Sequence, residues 1–158
     1  MWPSPVERVV ARLRAEAVDA TIQEFPEGTP TAEAAARAIG CGLDQIVKSI
    51  VFVCDEEYVV ALVPGDRRAD EPKIAAAVGA GTIRVAYARE VVAATGFEPG
   101  AVAPFPLPAV SVVLLDRTVL PQAVVWIGAG SAAHMASLSP LDLQRLSGAR
   151  MADIAARR

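Results

Sequence analysis

Two stretches of the chain, residues 47–54 and 58–63, are apolar at successive positions rather than alternate ones. A strand that buries a single face alternates, so this pattern predicts neighbouring strands of a sheet covered on both faces. Asp55, Glu56 and Glu57 between them suit a polar hairpin loop. Lys48, at the start of the first strand, is out of place in such a setting. Either its ammonium faces a pocket and meets an anion or carbonyl, or its stem lies on apolar surface with the head in water. Pairing across the hairpin sets Lys48 at the open end, away from the turn.

The chain has 158 residues, 53% hydrophobic and 21% charged, which suits a single domain, 1–158, with an ample core. Its apolar runs are strand-length and interrupted by charge, so no membrane span is expected. MWPSPVERVV lacks a basic region followed by an apolar one, and the cytoplasm is the expected location. Cys41 and Cys54 have neither CxxC nor metal-ligand spacing, so reduced thiols are expected and no metal. Cys41 acting as a nucleophile would need His134, the only histidine, as its base. A net charge of −3 argues against a broad duplex-binding face, although Arg67, Arg68 and Lys73 could supply local cations or simply solvate a loop.

Along the chain, Ser4-Pro5-Val6-Glu7 has the form of a capping box and predicts a helix over 5–16, with Val6, Val9, Val10 and Leu13 on one face. A short strand is expected at 21–25. Thr29 or Thr31 caps the next helix, which carries Glu33 in its first turn and is closed by Gly40. Asp44 is expected to cap one further turn. Asp70 caps a helix to Val78; a strand at 82–86, a helix at 88–95 and a hairpin-like pair at 110–115 and 123–127 follow. Trp126 is expected in the core. Ser139-Pro140-Leu141-Asp142 starts a last helix, 151–155 closes the sheet, and Arg157 and Arg158 form a frayed tail. Helices alternating with hairpin-type pairs predict an α+β fold with a mixed, largely antiparallel sheet and helices outside.

Two further stretches are unusual. Residues 97–109, FEPGAVAPFPLPA, hold four prolines and a glycine, which fix the shape of a loop. Residues 128–134, GAGSAAH, are small enough for backbone to approach a ligand closely, but lack the βαβ setting of a dinucleotide site.

The ordered series Thr31, Ala34 to Ala38, Gly40, then Gln45-Ile46-Val47-Lys48-Ser49, resembles the YbaK/ProX family, free-standing relatives of the prolyl-tRNA synthetase editing domain. The likeness continues through Gly100-Ala101-Val102-Ala103-Pro104-Phe105 and residues 128–134, and covers about nine-tenths of the chain. It implies a sheet curled into a partial barrel, and a trans-editing deacylase that hydrolyses the ester of mischarged tRNA by a positioned water, without metal or cofactor. The implied partner is the acceptor end of an aminoacyl-tRNA, with prolyl-tRNA synthetase a second candidate; oligomeric state is not legible. Lys48 would hold the ester end. Thr31, Ser49, Gly100, Ala101, Ala103, Pro104, Gly128, Gly130, Ser131 and His134 would bind substrate. Members acting on Cys-tRNA carry an Asp where Met135 stands here; others place a His at about His134. The alternative is a module that keeps the pocket, binds a tRNA end or a synthetase, and catalyses nothing.

Overall fold

The computed structural model describes residues 2–157, so Arg158 of the expected tail lies outside the described residues. The first helix, α1 (Ser4–Ala15), buries Val6, Val9, Val10 and Leu13, as their spacing predicts. Its start differs from the expected box: Pro3 is the N-cap, and the Glu7 carboxylate accepts from the amide of Trp2 at 3.1 Å. The next helix, α2 (Ala32–Ile39), follows β1 (Thr21–Glu24) and begins where Thr31 Oγ1 accepts from Ala34 N; it ends at Gly40 with φ +81°. A 3-10 turn (Leu43–Gln45) capped by Gly42 rather than Asp44 leads into the hairpin of β2 (Val47–Cys54) and β3 (Glu57–Pro64). Lys48 pairs with Val63, near the open end.

Asp70 caps α3 (Glu71–Val78), after which come β4 (Ile83–Val85) and α4 (Ala88–Thr95). The second half holds β5 (Val112–Asp116), β6 (Val125–Ser131), β7 (His134–Leu138), α5 (Pro140–Ser147), which Ser139 caps, and β8 (Arg150–Ala152). Five strands form one sheet in the order β4-β2-β3-β5-β8 and three form another, β1-β7-β6. The β3–β5 and β5–β8 pairings are parallel and the others antiparallel, so the architecture is α+β, mixed and largely antiparallel. The sheets meet at a parallel bridge between Ile46 and Trp126 and do not close a barrel.

The expected hairpin of 110–115 with 123–127 does not form. Asp116 caps a 3-10 turn at Arg117–Val119 by accepting from Thr118 N, and the chain leaves the first sheet there; β6 then pairs with β7 in the second. The prediction of a sheet covered on both faces holds. Val60 and Leu62 of β3 join α1, α5 and β6 in one core, whereas Val59, Ala61 and Val63 pack with Phe52 and with Ile74 of α3 in another. Burying such β-branched and aliphatic side chains contributes about 1.5–3 kcal/mol each. A third cluster, Ala35, Ala36, Ile46, Met135 and Phe25, seats α2 at the junction of the sheets, with Trp126 packed against it.

Candidate active site

A cavity of about 380 Å³ opens at this junction. Three local features build it. Gly65 N donates to Ile46 O at 2.7 Å, and a Cβ on Gly65 would stand 2.7 Å from Leu43 O, so only glycine lets the turn after β3 close on the start of β2. Phe25 N and Thr29 N donate to the carbonyls of Ala133 and Ala132, which ties the loop before α2 to the β6–β7 turn. Gly128 faces the carbonyl of Val102, 2.7 Å from where a Cβ would lie, so β6 and the proline-rich loop are in direct backbone contact.

Of the residues singled out in the sequence, Lys48, Thr31, Ser49, Gly100, Gly128, Ser131 and His134 line this cavity together. Ala101, Ala103 and Pro104 do not. Ala101 and Ala103 point into the core, and Val102 between them reaches the lining instead, because the extended loop alternates its sides. Gly130 is also absent from the lining. With φ +103° it lies against the backbone of Pro5, and it serves the seating of α1 on β6. Glu33 and Val102 line the cavity although neither was singled out as a site residue. Glu33 read as a helix-dipole charge in the first turn of α2, and no local signal in the sequence set it beside Lys48.

Lys48 is half-buried, and its Nζ donates to the carbonyl of Arg67 at 2.6 Å. Burial pushes the ammonium below the ordinary lysine range; Glu33 raises it again and Arg68 lowers it further. Ser49 Oγ is buried without a hydrogen-bond partner among the described residues. His134 is buried, with Nδ1 2.6 Å from Ser131 Oγ and Nε2 3.3 Å from Glu24 Oε2, a close approach without hydrogen-bond alignment. Trp2 meets the imidazole edge-on at 5.4 Å.

Neither cysteine lines the cavity, and burial raises the Cys41 thiol, followed by a lowering from its own backbone and a further rise from Asp44. Lys73 is engaged elsewhere, donating to Asp153 Oδ1 and Ala155 O, each at 3.0 Å. Among the described residues no group of three or more His, Cys, Asp or Glu side chains could hold a metal ion. No described helix is long and apolar enough to cross a membrane.

The geometry is that of an α+β fold with a half-buried cation, a histidine–serine pair and close-approach backbone around one cavity. Comparison with known proteins supplies the class. The family model for the aminoacyl-tRNA editing domain matches residues 26–146, and the chain belongs to that family. Proline–tRNA ligase of Nitratidesulfovibrio vulgaris is 34% identical over 122 residues, 76% of this chain and 21% of the ligase. The ligase of Xanthomonas oryzae pv. oryzae is 33% identical over 142 residues, 87% of this chain and 25% of that one. The chain therefore matches about a quarter or less of the length of these curated relatives. A crystal structure of a proposed trans-editing enzyme for prolyl-tRNA synthetase superimposes with a TM-score of 0.91 at 32% identity, covering 99% of this chain and 100% of the other. The likeness to free-standing relatives of the synthetase editing domain is thus borne out.

Proposed function

We propose that this protein is a trans-editing deacylase that hydrolyses the ester linking a wrong amino acid to tRNA, with mischarged tRNA-Pro as the first candidate substrate. The observation that carries the reading is Lys48, a cation kept half-buried at the cavity and oriented by the Arg67 carbonyl. An aminoacyl ester is already activated, so the protein need only position water, stabilise a tetrahedral oxyanion and exclude the cognate side chain. Lys48 holds the ester end or the adjoining ribose and phosphate. Gly100, Val102 and Gly128 offer backbone groups, Thr31 and Ser49 offer hydroxyls, and His134 with Met135 walls the amino-acid side chain.

A cavity of about 380 Å³ takes an amino acid and part of a ribose but no stretch of duplex, in keeping with a net charge of −3. The partner is accordingly the acceptor end of an aminoacyl-tRNA, met in the cytoplasm, with prolyl-tRNA synthetase as a second partner that presents it. The test is incubation of the purified protein with tRNA-Pro separately charged with alanine, cysteine, serine, threonine and proline, with EDTA and without ATP. The expected result is accelerated ester loss from at least one mischarged species and none from prolyl-tRNA. Spontaneous rates throughout, with retained binding to the tRNA end, would leave a binding module in place of an enzyme.

A further inference from the structure

The contact between His134, Ser131 and Glu24 joins three elements, with the histidine at the start of β7, the serine at the end of β6 and the carboxylate at the end of β1. His134 and Ser131 both line the cavity. The imidazole can carry its single proton on either nitrogen, and the two choices differ in electrostatics. With the proton on Nδ1, the bare lone pair of Nε2 would stand 3.3 Å from the Glu24 carboxylate, two centres of negative charge in a site that excludes water from Nε2. With the proton on Nε2, that contact becomes attractive and Nδ1 becomes an acceptor. Of the two neutral forms, Glu24 therefore favours Nε2–H.

The choice fixes the direction of the next bond. Nδ1 accepts, so the Ser131 hydroxyl donates to it at 2.6 Å. Ala133 N already donates to Ser131 Oγ at 3.0 Å. One lone pair of that oxygen remains, and no other hydrogen bond to it is made among the described residues. The serine is therefore turned into an acceptor on the cavity wall, with its own proton directed at a base.

We infer that Ser131, backed by His134 and positioned through Glu24, is the group that takes the proton from the attacking water. The inference rests on the deacylase reading above. In the step, a water proton passes to Ser131 Oγ as the serine proton passes to His134 Nδ1, and the water oxygen bonds to the ester carbonyl carbon. The imidazolium so formed lies against the Glu24 carboxylate. Collapse of the tetrahedral intermediate breaks the bond to the terminal ribose oxygen, which receives the proton back from Nδ1 through Ser131. The products are the free amino acid and a tRNA with its hydroxyl restored, with no change in protein protonation. Removing general-base assistance of this kind costs about 10²–10⁴ in rate.

The test has a spectroscopic and a kinetic arm. His134 is the only histidine, so 15N-histidine labelling reports it alone; the expected spectrum shows Nε2 protonated and Nδ1 bare, with mixing of the two forms in Glu24→Gln. An Nδ1–H form in the wild type overturns the relay. In single-turnover deacylation Ser131→Ala is expected to slow the reaction about 10²-fold and Glu24→Gln about tenfold, whereas Glu24→Gln in the Ser131→Ala background adds nothing further, since Glu24 acts only through the serine. Glu24 is an exposed side chain, so its variant keeps the fold. Wild-type rates in Ser131→Ala, or the same Glu24→Gln factor in both backgrounds, overturn the relay and leave the deacylase standing. If the wild type itself does not hasten ester loss, the parent reading falls and the relay with it.

Discussion

The ammonium of Lys48 is bound to the carbonyl oxygen of Arg67 at 2.6 Å, which joins the second residue of β2 to the turn that follows β3. Because Lys48 is paired with Val63, the turn at residues 65–67 arrives within reach of its side chain, and the cation is fixed rather than waving at a strand end. A carbonyl satisfies one of the three ammonium donors and neutralises nothing. The positive charge remains available to an ester or phosphate in the cavity.

This placement has a sign-definite pH consequence. Burial is the largest influence; Glu33 opposes it and Arg68 adds to it, and the folded pKa of Lys48 lies below the ordinary value of 10.5. Between the folded and unfolded values the unfolded chain binds more protons at this site, so Lys48 detracts from stability at neutral pH and the penalty fades as pH rises through that window. If the charged form is the working form, deacylation above the spontaneous rate declines at a pH below 10.5. Titration of the Lys48 Nζ resonance checks the ionisation, and a midpoint at or above 10.5 contradicts it.

Asp116 is a structural carboxylate with no cavity role. It is buried at the end of β5 and accepts from Ile154 N and Ala155 N, both at 2.9 Å, and from the amide and hydroxyl of Thr118. Burial raises its pKa, but these donors outweigh burial and leave it below the ordinary 3.8. Asp116→Ala strands two buried amides and should cost about 3 kcal/mol in urea unfolding at neutral pH. A depressed carboxyl stabilises fully above its unfolded pKa and loses that contribution as pH falls through the folded one. The gap between wild type and Asp116→Ala should therefore narrow only in acid, below about pH 4.

The two glycines of β6 predict opposite phenotypes. A Cβ on Gly130 would meet Pro5 O at 2.7 Å and Pro5 C at 2.8 Å at a φ of +103°, so Gly130→Ala should lower stability on the order of 3 kcal/mol in a melting experiment. Gly128→Ala instead pushes on the Val102 carbonyl at 2.7 Å, beside the cavity. Its expected effect is about a tenfold or greater loss of kcat/KM, since small displacements of positioning groups are felt strongly in rate.

Cys41→Ser should deacylate at the wild-type rate. The thiol is raised by burial, which disfavours the thiolate a nucleophile needs, and it does not line the cavity. Inactivation by a thiol reagent that Cys41→Ser abolishes, together with loss of activity in that variant, would contradict this.

Local chemistry was legible in the sequence. Thr31, Asp70 and Ser139 cap the helices their side chains suggest, and the doubly covered hairpin follows from its unbroken apolar runs. Strand partnership was less so. Sequence proximity favours pairing 110–115 with 123–127, but the Asp116 cap turns the chain away, and β5 lies parallel to β3 and β8 through contacts no local signal encodes. The same holds at the site. Lys48 stood out because a charge in an apolar strand is costly, whereas Glu24 lies on a short exposed strand far from His134 in sequence, and only the β1–β7 pairing, which sets Glu24 opposite His134, reveals their contact. Within the proline-rich loop, family likeness marked the segment but not its alternation, so Ala101 and Ala103 were named where Val102 reaches the cavity.

The central claim is that a held cation at this cavity carries ester hydrolysis, and Lys48→Ala tests it most directly. Loss of one partly buried hydrogen bond and relief of the desolvated charge oppose each other, so the expected net change in stability is within about 1 kcal/mol. The measurement is the single-turnover decay of the mischarged tRNA-Pro that the wild type consumes fastest, made beside thermal unfolding of the same preparation. The account predicts decay at the spontaneous rate from a protein that melts within a few degrees of the wild type; decay at the wild-type rate would contradict it.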